Sequence, residues 1–323
     1  MRPLAAALTV LWLGACGWSG SPPPAPSPAG GLWQDASIFQ AVAEVLSTTR
    51  GRVLVEMYEF GRPDLAALLV AARSRGADVR VVLDPTVAVT VETGRRLAAL
   101  GVPVRFYPVD DRRQQIDHVK LLLGDDRALV GGMNWGAGSD RNHDYALLLR
   151  DPAELDRLAA IFEQDWSLAG GVPRPLAPFS GPIEQTAPGS GIRALLESTL
   201  AAAQARIEAE VFDLTDPQLL MLLASATSRG VKVRVLLDPN QDVNRPSYQQ
   251  LRRSGVEVRW FRPLPRGKLH AKAALADGVL VLGSANWSVH GLDVNHELDA
   301  ATRDPDSLAA YASRFERDWE AAA

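Results

Sequence analysis

Two short strings of reactive residues recur along the chain. Each has a histidine and a lysine two positions apart, in His118-Val119-Lys120 and in His270-Ala271-Lys272. Because side chains alternate between the two faces of a β-strand, the imidazole and the ammonium of each string project from the same face. A Gly-rich segment with an asparagine follows each string, as Gly131-Gly132-Met133-Asn134 and Gly283-Ser284-Ala285-Asn286. A hairpin that returns to this segment would bring an imidazole, an ammonium and a carboxamide together.

Two such hairpins facing each other would hold the groups that attack on a phosphodiester requires. One histidine can attack phosphorus, the other can protonate the leaving oxygen, and lysine and asparagine can stabilise charge on the non-bridging oxygens. Spacing alone does not assign the two histidine roles. The six residues that we predict to be catalytic are His118, Lys120, Asn134, His270, Lys272 and Asn286.

The strings belong to an internal repeat that covers most of the chain. Residues 52–85 align with residues 206–239, and each segment reads as a strand, an amphipathic helix, Ser-Arg-Gly and a strand that ends in Leu-Asp-Pro. Gly76 and Gly230 occupy the position of a helix C-cap. Strand-helix-strand units predict an α/β sandwich in each half. We therefore expect an α/β fold of two repeated α/β/α halves with pseudo-two-fold symmetry and one active site at their interface.

At the two strings the sequence resembles the phospholipase D superfamily, whose pattern is H-x-K-x4-D followed by G-[GS]-x-N, occurring twice. The resemblance covers nearly all of residues 33–320. It implies a covalent phosphohistidine intermediate and no metal or other cofactor, with His118 as the nucleophile and His270 as the acid. It also implies that Asp144 and Glu297, which follow the asparagine segments, orient the histidines through their second ring nitrogens.

The chain departs from the family pattern in a few places. Five residues separate Asp125 from its Gly segment, and Asp277 from its own, where the family has six. These two aspartates either take a direct part in the chemistry or brace the hairpins. The Gly-Gly and Gly-Ser asymmetry, with Ser284 in the second half, resembles phospholipases D and cardiolipin synthases. The tryptophan after each asparagine resembles the small nucleases of the family instead.

Other residues near the strings have plain structural interpretations. We interpret His143 and His296 as scaffold and His290 as a loop residue. Trp135 and Trp287 either line the pocket or pack in the core. Four basic residues precede the catalytic histidines and either attract an anionic substrate or are merely solvated, namely Arg112, Arg113, Arg266 and Lys268. A lysine beside each histidine would repel a metal ion, which argues against a metal site.

The first residues predict export rather than fold. A short apolar run, too short to span a bilayer, ends in Leu13-Gly14-Ala15-Cys16, which resembles the lipobox of bacterial lipoproteins. Cys16 is the only cysteine, so no disulfide involves it, and a Pro/Ser/Gly tether follows it. We expect an exported protein that is lipid-anchored through Cys16 to a bacterial cell membrane, on its extracytoplasmic or periplasmic face. The alternative to a lipoprotein is an ordinary signal peptide, in which Cys16 has no role.

The whole chain has 323 residues, is 47% hydrophobic and carries a formal net charge of −4, which excludes a generally basic nucleic-acid protein. We divide it into a signal peptide at 1–15, a tether at 16–31, a first half at 32–172, a connector at 173–191 and a second half at 192–323.

These observations predict a phosphodiesterase that acts on phospholipid headgroup esters at a membrane surface. Two alternatives use the same residues: an extracytoplasmic nuclease that takes single-stranded nucleic acid, and a phosphatidyl transferase that resembles cardiolipin synthase. A fourth hypothesis, from another class, is a non-catalytic phosphate-binding lipoprotein. The intact pair of His, Lys and Asn sets argues against it, since a binding module does not need two imidazoles.

Overall fold

The first half of the protein contains a seven-stranded mixed sheet with helices on both faces. A computed structural model describes residues 31–179 and 181–322. The strands of the first half are β1 (Leu32–Gln34), β2 (Arg52–Met57), β3 (Asp78–Leu83), β4 (Val104–Phe106), β5 (Lys120–Leu123), β6 (Ala128–Gly131) and β7 (Tyr145–Leu149). Its helices are α1 (Ile38–Thr48), α2 (Pro63–Ser74), α3 (Ala88–Ala99) and α4 (Pro152–Ala169). The strand order is β1-β7-β6-β5-β2-β3-β4.

The second half repeats this plan strand for strand. Its strands are β8 (Ile183–Thr186), β9 (Arg206–Val211), β10 (Lys232–Leu237), β11 (Glu257–Trp260), β12 (Lys272–Ala276), β13 (Val279–Gly283) and β14 (Glu297–Thr302). Its helices are α5 (Gly191–Ala202), α6 (Pro217–Ser228), α7 (Asn244–Arg253), α8 (Val289–Asp293) and α9 (Pro305–Ala321). The order β8-β14-β13-β12-β9-β10-β11 is the first order with each strand replaced by its repeat. The predicted fold class is confirmed.

The aligned segments of the repeat form the parallel part of each sheet. β2 pairs in parallel with β3, and β9 pairs in parallel with β10, with a helix crossing between the two strands of each pair. Gly76 and Gly230 follow these helices at φ values of +96° and +91°, a backbone region that favours glycine. The strands are buried along most of their length because helices cover both faces.

The last helix of each half lies between the two sheets. One hydrophobic cluster joins Leu121 of the first sheet, Phe162 of α4, Phe315 of α9 and Leu275 of the second sheet. Separate clusters fill the outer face of each sheet, under α1 and α2 in the first half and under α5 and α6 in the second. The two halves therefore share a continuous core, and burial of that core fixes how the sheets face each other.

The predicted connector and the predicted signal peptide differ in how far the structure describes them. The segment at 173–191, which we interpreted as a connector, contributes β8, and β8 pairs antiparallel with β14 as β1 does with β7. The predicted signal peptide and Cys16 lie outside the described residues. Among the helices of residues 31–179 and 181–322, none is long and apolar enough to cross a bilayer.

Asp125 and Asp277 brace the far ends of the two central hairpins. Asp125 accepts hydrogen bonds from the backbone N–H groups of Arg50, Gly51 and Arg52 at 2.9, 2.9 and 2.7 Å. Asp277 accepts the same three bonds in the second half, from residues 204–206. Gly51 lies so close that a Cβ there would be 2.5 Å from Asp125 Oδ1. Each aspartate follows its strand at the end opposite the lysine, so the structure assigns both a bracing position away from the histidines.

We therefore expect Asp125→Ala to lower the free energy of unfolding by about 1 to 2 kcal/mol, because three backbone donors lose a charged acceptor. Turnover per folded molecule should stay unchanged. Asp126→Ala is the matched control, since Asp126 is exposed and pairs with the adjacent Arg127 rather than with the backbone of β2. Urea unfolding of both variants measures the effect, and equal midpoints for the two would contradict the bracing role.

Candidate active site

The two central hairpins carry the predicted catalytic residues at the same end. Lys120 is the first residue of β5 and Lys272 the first of β12, and each histidine stands two positions earlier. β6 and β13 return antiparallel to these strands and end at Gly131 and Gly283, so the asparagines come back beside the histidines. The charges of both lysines act on both imidazoles, because the two hairpins face each other across the interface.

Each catalytic histidine is oriented by an acid from the opposite half. His118 Nδ1 lies 2.9 Å from Glu297 Oε2, and His270 Nδ1 lies 2.7 Å from Asp144 Oδ2. Because Nδ1 of each ring is occupied by a carboxylate, Nε2 is the nitrogen that faces the site. A single half therefore cannot orient its own imidazole.

The backbone repeats the exchange between halves. The N–H of His118 donates to the carbonyl of His296 at 2.8 Å, and the N–H of His270 donates to the carbonyl of His143 at 2.8 Å. Residues 296–297 therefore hold His118 twice, once by a main-chain carbonyl and once by a side-chain carboxylate. Residues 143–144 hold His270 in the same way.

Burial favours the neutral form of both predicted catalytic imidazoles. His118 and His270 are 5% and 4% exposed. Burial lowers the pKa of His118 to about 4, against the opposing charge of Glu297. Burial and the ammonium of Lys272 lower the pKa of His270 well below its ordinary value. Burial also lowers the pKa of Lys120 to about 7 and that of Lys272 to about 8. An anion entering the site would be drawn to two desolvated ammonium groups.

The two orienting acids differ in how they hold a proton. Burial opposes ionisation of Glu297, but the hydrogen bond from His118 Nδ1, the charge of Lys120 and a hydrogen bond from the Ser284 hydroxyl at 2.6 Å keep its pKa below the ordinary value. Burial raises the pKa of Asp144 to about 7. Gly132 stands where Ser284 stands in the other half and offers no hydroxyl. The Asp144–His270 pair therefore retains an extra proton near neutral pH, and the Glu297–His118 pair does not.

The asparagines and lysines supply polar atoms around the imidazoles. Within the described residues, Oδ1 of Asn134 and Oδ1 of Asn286 are buried without a hydrogen-bond partner, and Asn134 Nδ2 contacts Glu59 Oε2 at 3.2 Å. Lys272 Nζ lies 2.6 Å from the carbonyl oxygen of His270 and 3.2 Å from its Nε2. Polar side chains held in a dry site can stabilise charge that develops on the oxygens of a bound anion during reaction.

Sequence reasoning missed two aromatic side chains beside the catalytic groups. The ring of Tyr58 is 4.8 Å from that of His118, and the ring of Phe212 is 5.0 Å from that of His270. The ammonium of Lys268 lies 4.5 Å from the centroid of Phe212. Tyr58 and Phe212 occupy matching positions just after β2 and β9, and this repeat position was the signal that could have found them.

The remaining predicted residues lie outside the reacting centre. Trp135 and Trp287 are 2% and 0% exposed and pack in the two outer cores, so they do not line the site. Arg112 and Arg113 are exposed on a short 3-10 turn, and His290 is exposed on α8. As noted above, Asp125 and Asp277 lie at the other end of the hairpins.

Sequence and structure comparisons place the chain among known proteins. The family described as "Cardiolipin synthase, PLD-like domain" matches residues 42–166 and 196–319, one match in each half. The chain is 26% identical to cardiolipin synthase 2 of Bacillus anthracis over 87% of its own length and 62% of that protein. It is 39% identical to mitochondrial cardiolipin hydrolase of Xenopus laevis over 38% of its length and 58% of that protein. The chain thus spans less than two thirds of these curated relatives.

A solved structure shares the fold of most of the chain. Phosphatidylserine synthase of Haemophilus influenzae Rd KW20 superposes with a TM-score of 0.71 at 14% identity, over 90% of this chain and 86% of that one. The same family model matches each half once, and the structure brings the hairpins of the two halves together, with each acid in contact with the histidine of the other half. The chain therefore belongs to the phospholipase D superfamily, with a PLD-like domain in each half.

Proposed function

We propose that the protein cleaves phospholipid headgroup esters in two steps through a phosphohistidine. The crosswise pairing of His118 with Glu297 and His270 with Asp144 carries this proposal, since it leaves two Nε2 atoms facing one buried cationic site. In the first step, His118 Nε2 attacks phosphorus and the bond from phosphorus to the headgroup oxygen breaks. The leaving alcohol takes a proton from His270 Nε2.

The second step returns both histidines to their starting states. An acceptor hydroxyl gives its proton to His270 Nε2 and its oxygen attacks phosphorus. The P–N bond to His118 breaks, and the electron pair returns to Nε2. Water as acceptor gives hydrolysis, and an alcohol gives phosphatidyl transfer, so the same residues serve a hydrolase and a transferase.

The different protonation of the two histidine–acid pairs supports this assignment of roles. A nucleophile needs an unprotonated Nε2, and His118 with its ionised Glu297 meets that need. A general acid needs a proton near neutral pH, and the Asp144–His270 pair holds one because burial raises the pKa of Asp144 to about 7. The roles expected from the family resemblance and those favoured by the site coincide.

A phospholipid is the favoured substrate because the chain's relatives act on phospholipids by name: a cardiolipin synthase and a cardiolipin hydrolase. We propose hydrolysis as the main reaction and transfer as the alternative outcome with an alcohol acceptor. A nuclease activity is the alternative function, and a lipid assay would not detect it. Single-stranded DNA is therefore assayed beside the lipid.

Added ethanol should divert product from phosphatidic acid to phosphatidylethanol when phosphatidylcholine is the substrate. The leaving group departs before the acceptor binds, so a small alcohol can use the vacated position. Choline release should stay nearly constant if the first step limits the rate, and mass spectrometry resolves the two lipids. Phosphatidic acid without any phosphatidylethanol would point to direct attack by water.

The histidine variants serve as controls for this experiment. His118→Ala and His270→Ala should each lose on the order of 10³-fold or more in both products, because the two imidazoles act as a unit. Cleavage of single-stranded DNA with no lipid turnover would move the substrate assignment to nucleic acid.

The pH dependence of kcat/KM should be bell-shaped. The rate should rise through about pH 4, where His118 loses the proton that blocks Nε2. It should fall above about pH 7, where the Asp144–His270 pair loses its proton and Lys120 begins to lose its charge. A water-soluble short-chain substrate keeps the aggregation state constant across the series. An acidic limb near the ordinary histidine value of about 6.5 would show that His118 is not desolvated.

We also propose that Cys16 anchors the protein to a membrane, in line with the lipobox-like Leu13-Gly14-Ala15-Cys16. Cys16→Ser removes the sulfur that lipid attachment requires. In detergent phase partitioning the wild type should enter the detergent phase and the variant should stay aqueous, with equal activity on the soluble substrate. A wild type that stays as fully aqueous as the variant would refute the anchor.

A further inference from the structure

Two buried histidines lie directly behind the catalytic pair and take no part in the proposed reaction. His143 and His296 are both 0% exposed and occupy equivalent positions in the repeat. Both nitrogens of each ring face oxygen atoms. His143 Nδ1 lies 2.7 Å from Asp35 Oδ1, and its Nε2 lies 3.3 Å from Glu210 Oε2. His296 Nδ1 lies 3.1 Å from the carbonyl oxygens of Thr186 and Ala187, and its Nε2 lies 3.2 Å from Asp165 Oδ2.

Those contacts determine the protonation state of both rings. A carbonyl or an ionised carboxylate only accepts hydrogen bonds, and a neutral imidazole has a single N–H to donate. His143, with a carboxylate oxygen at each nitrogen, therefore carries two protons and a positive charge. His296 donates from Nδ1 to main-chain carbonyls, and its Nε2, which makes no hydrogen bond within the described residues, lies within ion-pair distance of Asp165 and Glu56. Asp35 is ionised, since His143 and Arg314 hold its pKa at about 2 against the effect of burial. Although burial disfavours the charged form, nearby acids raise the pKa of His143 to about 10 and that of His296 well above its ordinary value.

Each charged ring is seated in the opposite half. Around His296 the first half places Glu56 of β2, Asp165 of α4 and Asp117, with the ring of Tyr107 stacked at 4.5 Å. This set is the first socket. Each of its carboxyl groups is fully buried, and Glu56 and Asp165 have side-chain oxygens that make no hydrogen bond within the described part of the chain. Burial raises the pKa of Glu56 to about 7 and that of Asp117 well above its ordinary value. Asp165, whose Oδ2 is 3.2 Å from Nε2, is the nearest partner of the charged His296 ring.

The second socket repeats the first. Around His143 the second half places Glu210 of β9 and Asp318 of α9, with the ring of Phe261 stacked at 5.2 Å. The hydroxyl of Tyr145 also donates to Glu210, and Arg314 pairs with both Asp35 and Asp318. Removing one partner from a buried ion pair leaves an uncompensated charge, so each ring is strongly held in its socket.

We propose that His143 and His296 are positioning residues, each a buried imidazolium that is seated in a carboxylate socket of the opposite half and fixes one catalytic histidine. The link is short. The carbonyl of His143 accepts the N–H of His270, and the neighbouring Asp144 takes its Nδ1. The carbonyl of His296 accepts the N–H of His118, and the neighbouring Glu297 takes its Nδ1. When the ring of His143 or His296 is fixed in its socket, its own carbonyl and the carboxylate of the next residue are therefore fixed as well, and these are the two groups that hold the catalytic imidazole.

The protonation state can be measured in the wild type without an activity assay. We expect ¹⁵N-histidine NMR to show two of the five histidines with both ring nitrogens protonated from about pH 5.5 to 8.5, well above the range in which an ordinary histidine is charged. His290→Asn identifies the signals of the exposed histidine. Neutral tautomers at His143 and His296 would overturn the proposal. So would a metal ion bound to their nitrogens, detected by elemental analysis, because the same residue types can ligate zinc.

The positioning role has a crossed kinetic signature. His296→Gln should move the acidic limb of kcat/KM, which His118 sets, and leave the alkaline limb in place. His143→Gln should move the alkaline limb and leave the acidic one. Each should lower kcat by about tenfold or more, since small misplacements of a reacting group are costly, with KM within about threefold. His290→Gln is the control and should change neither limb. General destabilisation would not separate the limbs in this way, so equal shifts in both variants, or none, would contradict the role.

Balanced variants keep the test usable if the single variants do not fold. His143→Gln with Glu210→Gln, and His296→Gln with Asp165→Asn, each remove the ring together with the nearest acid of its socket, and the same limb should move. The kinetic arm rests on the proposed function, whereas the NMR arm does not. Two imidazolium rings in a protein that turns over no phosphodiester would leave the sockets in place and reject only the proposed function.

Discussion

The exchange of acids between the halves is the constraint on which the rest of the structure depends. Glu297 orients His118 and Asp144 orients His270, so neither half holds its own imidazole. This requires the two central hairpins to face each other, and the shared core around α4 and α9 fixes the sheets in that arrangement. The bracing aspartates at the far ends of the hairpins then hold the strands that present the lysines. A duplicated fold gives one site here because the functional contacts run across the interface.

Four buried histidines near this interface differ in protonation because their ring nitrogens face different groups. His118 and His270 each meet one carboxylate at Nδ1 and otherwise lie beside ammonium groups, so desolvation favours the neutral form. His143 meets carboxylates at both nitrogens, and His296 meets carbonyls at Nδ1 and lies within ion-pair distance of two acids at Nε2, so nearby carboxylates outweigh the same desolvation. The sequence places a charged ring next to each orienting acid, in His143-Asp144 and His296-Glu297. In each pair the histidine carries a positive charge, and the acid that follows it orients the neutral imidazole of His270 or His118.

Much of the fold was predictable from the sequence because each strand, helix and turn pattern occurs in both halves. Strand alternation placed histidine and lysine together, and the glycines after α2 and α6 marked the helix ends. The crossed pairing was not predictable. Asp144 and Glu297 follow their own hairpins at equal spacing, and only the relative placement of the halves selects the partner. The sockets were hidden for a similar reason, since Glu56 and Glu210 sit in largely apolar strands whose partners come from distant segments. β8 was interpreted as connector because its pairing with β14 is long-range.

A pseudo-symmetric site needs an asymmetry if one imidazole is to attack while the other donates a proton, and two neighbouring pairs of residues provide it. Ser284 donates to Glu297 and favours its ionised form. On the other side, a Cβ at Gly132 would lie 2.4 Å from Asp144 Oδ1, so a serine there would have to displace the acid. Asp144 consequently stays close to a bare backbone, gains no hydroxyl donor and holds its proton to about pH 7. The Gly–Asp and Ser–Glu pairs are therefore coupled, and exchanging one member alone would disturb an orienting contact rather than reverse the two roles. In the proposed mechanism these four residues set the direction of the first proton transfer, although the frame that holds them is symmetric.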